Sequence, residues 1–234
     1  MGKSWKKTGM LEAAQKKGRI FTKLAREIAV AAKLGGGDPE SNPRLRMAVD
    51  AARKASCPKD TVERAIKKGT GQLDDGAHIE ELTYEGYGPH GVGVIVECQT
   101  DNKHRTAPDL RNIFKKNDGA MGETGSVAWM FDRVSLIEAH REGSFDPDEE
   151  AIEAGANEVE KEEDGSFTFY ANPEDLDSVR TALTARHWTV TKAELAYKAK
   201  NITDITEEQH KEVAEFLNEL DDHDDTSRVY ATIG

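Results

Sequence analysis

The sequence predicts a multidomain α+β protein in which an N-terminal three-helix bundle precedes two α+β domains. Apolar residues recur at helical spacing before Gly69, and the alternation typical of strands begins at Glu81. The chain has 234 residues, of which 37% are hydrophobic, so it has enough apolar mass for more than one core.

The three predicted helices each have recognisable boundaries. The first runs from Leu11 to Leu34 and ends at three consecutive glycines, which favour a helix C-terminus. The second begins at Asn42-Pro43, a capping residue followed by a proline, and the third begins after Pro58. Because each helix has one apolar face, we expect the three to pack as a small bundle.

The remaining sequence alternates strand-like and helix-like segments. Predicted strands cover residues 81–87, 92–100, 127–131, 134–138, 167–170, 190–196 and 228–233, with one more strand before the Asp164-Gly165 turn. Predicted helices cover residues 101–116, 148–156, 173–186 and 207–220. From Val134 onward the order is βαββαβ, the ferredoxin-like arrangement.

Charge is distributed unevenly along the chain, whose formal net charge is −12. Residues 1–72 contain 17 Lys and Arg against 7 Asp and Glu, a net charge of +10, whereas residues 73–234 contain 15 against 37, a net charge of −22. Four cations of the first helix fall within an arc of about 80° outside its apolar stripe. They are Arg19, Lys23, Arg26 and Lys33. This basic face predicts contact with an anionic polymer, and an ordinary solvated helix face is the alternative.

The predicted nucleic-acid-binding residues are the cations of the bundle together with Trp5, which could stack on a base or pack against the helices. They are Lys3, Trp5, Lys6, Lys7, Lys16, Lys17, Arg19, Lys23, Arg26, Lys33, Arg44, Arg46, Arg53, Arg64, Lys67 and Lys68. A secondary contact is predicted at Asn102, Lys103 and Arg105, where backbone amides at a helix start could hold a phosphate. Capping of the same helix by Asp101 or Asn102 is the alternative.

No catalytic residue, metal site or cofactor is expected. The sequence contains no HExxH zinc motif, no phosphate-cradling GxxxxGK[ST] and no nucleophile elbow. The glycine spacing from Gly88 to Gly93 precedes a strand instead of joining a strand to a helix, so it lacks the mechanism of a dinucleotide loop. The acidic run from Asp221 to Asp225 is interpreted as a solvated loop at a helix end.

The two cysteines and the absence of long apolar runs bear on location. Cys57 and Cys98 lack the spacing of a zinc pair or a redox CxxC, and we interpret them as small buried hydrophobes in a reducing cytoplasm. No window resembles a signal peptide or a membrane span. A monomer is expected because no heptad pattern occurs.

Eight ordered motifs give the chain a family resemblance. They are Gly18-Arg-Ile-Phe-Thr-Lys23, Gly36-Gly-Asp-Pro-Glu40, Asn42-Pro-Arg-Leu-Arg46, Pro58-Lys-Asp60, Glu63-Arg-Ala-Ile-Lys-Lys-Gly-Thr-Gly71, Tyr84-Glu-Gly-Tyr-Gly-Pro89, Thr100-Asp-Asn102 and Gly122-Glu-Thr-Gly-Ser-Val-Ala-Trp-Met-Phe131. Together they resemble the YebC/PmpR family, which includes the mitochondrial translational activator of cytochrome oxidase subunit I. The leader departs from the common family pattern, because Met1-Gly-Lys-Ser-Trp-Lys-Lys7 is followed by Thr8-Gly-Met-Leu-Glu-Ala instead of a basic segment.

The resemblance implies that the last α+β domain is inserted in the middle one. The expected domains are 1–77 (basic and helical), 78–132 plus 203–234 (α+β) and 133–202 (inserted, ferredoxin-like). The resemblance also implies either a DNA-binding transcriptional regulator or a translation factor that acts at the ribosome on proline-rich stretches.

The resulting hypothesis is a cytoplasmic, non-enzymatic regulator whose partner is nucleic acid: DNA, or ribosomal RNA or tRNA in the translational alternative. It requires that the basic side chains are not neutralised by carboxylates of the other domains. Replacing Arg19, Lys23 and Arg26 with Glu is then expected to abolish binding with little effect on folding.

Overall fold

A computed structural model describes the backbone of residues 4–73 and 79–233, with side chains described from residue 17 onward within those ranges. The helices are α1 (Ser4–Gly35), α2 (Pro43–Lys54), α3 (Lys59–Gly69), α4 (Lys103–Lys116), α5 (Pro147–Ala154), α6 (Leu176–Ala185) and α7 (Glu207–Asp221). The strands are β1 (Glu80–Tyr87), β2 (Gly93–Thr100), β3 (Ala120–Met121), β4 (Phe131–His140), β5 (Glu158–Lys161), β6 (Phe167–Ala171), β7 (Thr189–Ala199) and β8 (Thr226–Ala231). They form two compact units, residues 1–127 with 203–233, and residues 128–202.

The first unit contains the three helices of the predicted bundle around an apolar core centred on Ile28, Leu45 and Ala52. Asn42 joins two of these helices, because its side chain accepts a hydrogen bond from the Leu45 amide and donates one to the Ala31 carbonyl (3.1 and 2.8 Å). One side chain therefore caps the start of α2 and ties it to the last turns of α1.

Helix α3 approaches α1 closely at Gly69. A Cβ atom at this position would overlap the carbonyl oxygen of Ala29, so only glycine permits the approach. Helix α1 itself begins at Ser4, seven residues before the predicted Leu11. The prediction was wrong there because it followed the apolar spacing, which begins at Leu11, whereas residues 4–10 contain no proline that would end the helix.

A four-stranded antiparallel sheet in the order β3-β1-β2-β8 completes the first unit. Helices α4 and α7 pack on it, and their rings Phe114 and Phe216 meet edge to face at 5.1 Å. The predicted separation of this unit into a helical domain and an α+β domain remains a prediction.

The second unit has the order β4-α5-β5-β6-α6-β7, and its antiparallel sheet is ordered β5-β6-β4-β7. This is the ferredoxin-like arrangement that the sequence predicts. Its core contains Trp188, whose ring lies 4.8 Å from that of Phe145 and 5.0 Å from that of Phe169.

The predicted strand over residues 127–131 is wrong. A short 3-10 turn covers Ala128–Met130, and β4 begins only at Phe131. The amides of Gly125 and Val127 donate to the buried carboxylate of Glu85 (2.8 and 2.9 Å). Because a side chain satisfies these donors, the segment needs no strand partner.

Candidate nucleic-acid interface

Three cations of the predicted basic face on α1 contact carboxylates at the end of α7. Arg19 lies 3.6 Å from Asp222. Lys23 lies 3.6 Å from the Asp221 carboxylate and also donates to the Asp221 carbonyl. These two pairs are substantially exposed, so each stabilises the fold by no more than about 1 kcal/mol.

Arg26 is the third of these cations, and its partner is buried. Its guanidinium lies 2.9 Å from the carboxylate of Asp225, whose side chain is 1% exposed, and it also donates to the Asp224 carbonyl. The expectation that these three cations have no carboxylate partners is therefore wrong, and their binding to nucleic acid remains a prediction. Replacing Arg26 with Glu would place two carboxylates together, so we expect this substitution to destabilise the fold, contrary to the expectation of little effect on folding.

The Asp225 carboxylate is the centre of a polar cluster to which three elements, α1, β2 and α4, contribute side chains. Arg105 of α4 donates to both of its oxygens (3.0 and 2.9 Å). The hydroxyls of Thr106 and Thr100 donate at 2.7 and 3.2 Å. Burial alone would raise the pKa of Asp225, but the hydrogen bonds from Thr106 and Arg105 and the charge of Arg26 outweigh it and lower the pKa.

The predicted secondary contact at the start of α4 is occupied by intramolecular partners. The Asn102 side chain accepts a hydrogen bond from the Arg105 amide at 3.2 Å, so it caps the helix as the alternative interpretation expects. Arg105 binds Asp225 and also lies 3.4 Å from Asp101. Lys103 lies 3.9 Å from Glu80.

Arg44 also has intramolecular partners. Its guanidinium donates to Glu27 and Glu81, both at 2.8 Å, and Gln99 of β2 donates to Glu27 at 2.6 Å. Burial would raise the pKa of Glu27, but the hydrogen bond and charge of Arg44 lower it. This network holds α1 and α2 against the ends of the two central strands, β1 and β2.

Five predicted binding residues have weaker contacts or none. Arg46 donates to the Glu40 carbonyl at 3.3 Å, and Arg53 lies 3.3 Å from Asp50 on its own helix. Lys33 donates to the Ile79 carbonyl at 3.3 Å. Arg64 and Lys67 of α3 are exposed and form no ion pair with any residue that the structure describes.

The remaining predicted residues lie near the start of the chain or at the end of α3. Lys17 is exposed, with its ammonium 5.5 Å from the centre of the Phe21 ring. Lys68 is half-buried beside a cleft between α1 and α3. The other five side chains, Lys3, Trp5, Lys6, Lys7 and Lys16, lie outside those that the structure describes. The sequence analysis missed Lys54, which is exposed at the end of α2 and has no ion-pair partner among the described side chains.

Neither cysteine has the environment of a reactive thiol. Cys98 is buried, and burial raises the pKa of its thiol to about 12. Cys57 is half-buried, and its thiol pKa is also raised by burial.

Among the described side chains, no three His, Cys, Asp or Glu residues are placed to hold a metal ion. No helix in the described ranges is long and apolar enough to span a bilayer.

We expect Asp225→Asn to lower the free energy of unfolding by about 3 kcal/mol, the lower end of the cost of breaking a buried ion pair, because Arg105 is half-exposed. The difference from the unsubstituted protein should shrink as pH falls below about 4. The folded carboxyl has the lower pKa, so its contribution is complete above the unfolded pKa and is lost as pH falls through the folded value. Urea unfolding at a series of pH values measures both effects.

Asp222→Asn is the matched control, since it removes the exposed carboxylate partner of Arg19 and should change the free energy of unfolding by no more than about 1 kcal/mol. Equal effects of the two substitutions would contradict the distinction between the buried pair and the exposed one.

Comparison with known proteins assigns the chain to a family. The model of the TACO1/YebC protein N-terminal domain matches residues 2–72, and that of the TACO1/YebC second and third domain matches residues 79–233. A Bdellovibrio bacteriovorus protein named as a probable transcriptional regulatory protein is 73% identical over 233 residues, covering 100% of both chains. A Polaromonas protein with the same description is 49% identical over 98% of both chains. The crystal structure of a conserved hypothetical protein from Aquifex aeolicus matches with a TM-score of 0.83 and 40% identity, covering 94% of this chain and 90% of that one. The chain therefore belongs to the TACO1/YebC family.

Proposed function

We propose that the protein is a cytoplasmic regulator without enzymatic activity, which acts by binding nucleic acid through the outer cations of α2 and α3. Its relatives are named as probable transcriptional regulatory proteins, which favours DNA as the first candidate partner. The observation that carries the proposal is that Lys54, Arg64 and Lys67 are exposed and form no ion pair in the described part of the chain.

The charge balance around these residues supports the proposal. Residues 17–73 contain 13 Lys and Arg against 6 Asp and Glu, so the helices keep a positive excess in a chain of net charge −12. Carboxylates of other segments neutralise Arg19, Lys23, Arg26 and Arg44. The remaining excess is therefore carried mainly by α2 and α3, where cations without partners can release the counterions of a phosphate backbone.

We expect the double substitution Arg64→Gln with Lys67→Gln to weaken binding to duplex DNA. The slope of log affinity against log salt is negative, and each lost phosphate contact reduces its magnitude by about 0.9, so the magnitude should fall by up to about 1.8. Fluorescence anisotropy with a labelled duplex at several salt concentrations measures affinity and slope together.

Arg111→Gln with Lys115→Gln is the matched control, because this exposed arginine and lysine share α4 and have no ion-pair partner among the described side chains. The control should bind like the unsubstituted protein. An unsubstituted protein whose affinity does not change with salt would contradict the electrostatic proposal, and so would equal losses in the two double variants.

A translational role is the second candidate. A cleft beside Lys68 has an apolar floor formed by Phe21, Ala25 and Ala65, and Arg64 and Lys68 add cations to it. Such a site suits the unstacked bases of RNA loops and ends better than a regular duplex. The family resemblance also implies a factor that assists translation of proline-rich stretches at the ribosome.

If the protein acts in translation, it should sediment with ribosomes in a sucrose gradient of cell extract, and the Arg64→Gln, Lys67→Gln variant should shift toward the top. Immunoblotting of the gradient fractions measures the distribution. A protein found only at the top of the gradient would exclude stable ribosome association and leave DNA binding as the remaining candidate.

A further inference from the structure

A cleft of about 400 Å³ lies between α1 and α3 in the first unit. Phe21 and Ala25 of α1 and Ala65 of α3 contribute apolar surface to it. Arg64 and Lys68 also line it from α3. Alanine at these positions, with another at residue 29, leaves room that larger side chains would fill.

The lining combines three kinds of group that one nucleotide requires. The Phe21 ring offers an aromatic surface on which a base can stack, and Leu73, 41% exposed, adds an uncovered apolar side chain. Arg64 is an exposed cation that can bind a phosphate. The carboxylate of Asp101, which also lines the cleft, can accept a hydrogen bond from the amino or imino group of a base.

The lining contains three cations, Arg26, Arg64 and Lys68, against one carboxylate, Asp101, so its charge favours an anionic occupant over a neutral apolar one. Lys17 lies 5.5 Å from the centre of the Phe21 ring, so a further cation stands near the apolar floor. Arg26 also lines the cleft, although Asp225 balances its charge. The cleft is at the small end of the range for ligand sites, roughly 300–1,000 Å³, which suits a single nucleotide better than a folded segment.

We propose that this cleft binds one unstacked nucleotide of a single-stranded nucleic acid, with the base against Phe21 and the phosphate beside Arg64. This inference rests on the proposed nucleic-acid binding and specifies that the partner is single-stranded. A paired and stacked base cannot enter the cleft without leaving its duplex. The cations outside the cleft then bind the phosphates of the flanking nucleotides.

The test uses a substitution that fills the cleft without changing its charge. Thr61 lines it from α3 and is half-buried, so Thr61→Trp should occupy the space that a base would take. Stacking of one base contributes about 1–3 kcal/mol, so affinity for a short single-stranded RNA or DNA should fall by about 5-fold to 150-fold. Affinity for a duplex of the same sequence should stay within about twofold.

Two further variants keep the result interpretable. Thr181→Trp adds the same side chain at an exposed position of α6 in the second unit, outside the proposed binding surface, and should leave both affinities unchanged. Phe21→Leu keeps an apolar floor but removes the aromatic ring, and it should weaken single-strand binding selectively even if Thr61→Trp fails to fold.

The outcomes separate this inference from the proposed function. Selective loss of single-strand binding in Thr61→Trp or Phe21→Leu supports the nucleotide cleft. The cleft inference is overturned, and the proposed function stands, if the unsubstituted protein binds nucleic acid and both variants bind single strands as tightly as it does. The same conclusion follows if both variants lose single-strand and duplex binding in equal measure. If the unsubstituted protein binds neither form, both are overturned.

Discussion

The buried carboxylate of Asp225 links helix α1 to helix α4 and the sheet. It accepts hydrogen bonds from Arg105, Thr106 and Thr100 and lies 2.9 Å from the guanidinium of Arg26. A buried carboxylate without such partners would cost several kcal/mol in desolvation, so the arrangement is stable only when these elements come together. This anion is therefore the buried ionic contact that positions α1 on the α+β part of its unit, beside the more exposed pairs of Arg19, Lys23 and Glu27.

This packing determines which cations can serve a ligand. Three of the four cations that form the predicted basic face of α1 contact acidic residues at and just after the end of α7, and Arg44 contacts Glu27 and Glu81. Opposite charges that lie far apart in the chain thus hold the first unit together. The proposed interface therefore lies on α2 and α3, whose cations Lys54, Arg64 and Lys67 have no carboxylate partner among the described side chains.

Local patterns predict the helices and strands well but not the partners of the charged side chains. Spacing of apolar residues predicts the three helices of the bundle, and the element order predicts the ferredoxin-like sheet, because both patterns repeat over short stretches. The contacts of Lys23 and Arg26 with residues 221 and 224 span 198 positions. In the sequence, Asp225 resembles Asp221, Asp222 and Asp224, and only tertiary packing distinguishes the buried carboxylate from its exposed neighbours.

The most direct test of the central role of Asp225 is a double-mutant cycle with Arg26→Met and Asp225→Asn, measured as free energies of unfolding. Asp225→Asn removes the carboxylate partner of Arg26, and Arg26→Met leaves the buried Asp225 carboxylate with Arg105 as its cationic partner. The double variant removes both members of the Arg26–Asp225 pair. We predict that the double variant loses less free energy of unfolding than the two single variants lose together, by at least about 1.5 kcal/mol. Effects that add within about 0.5 kcal/mol would contradict it, because the two residues would then be energetically independent.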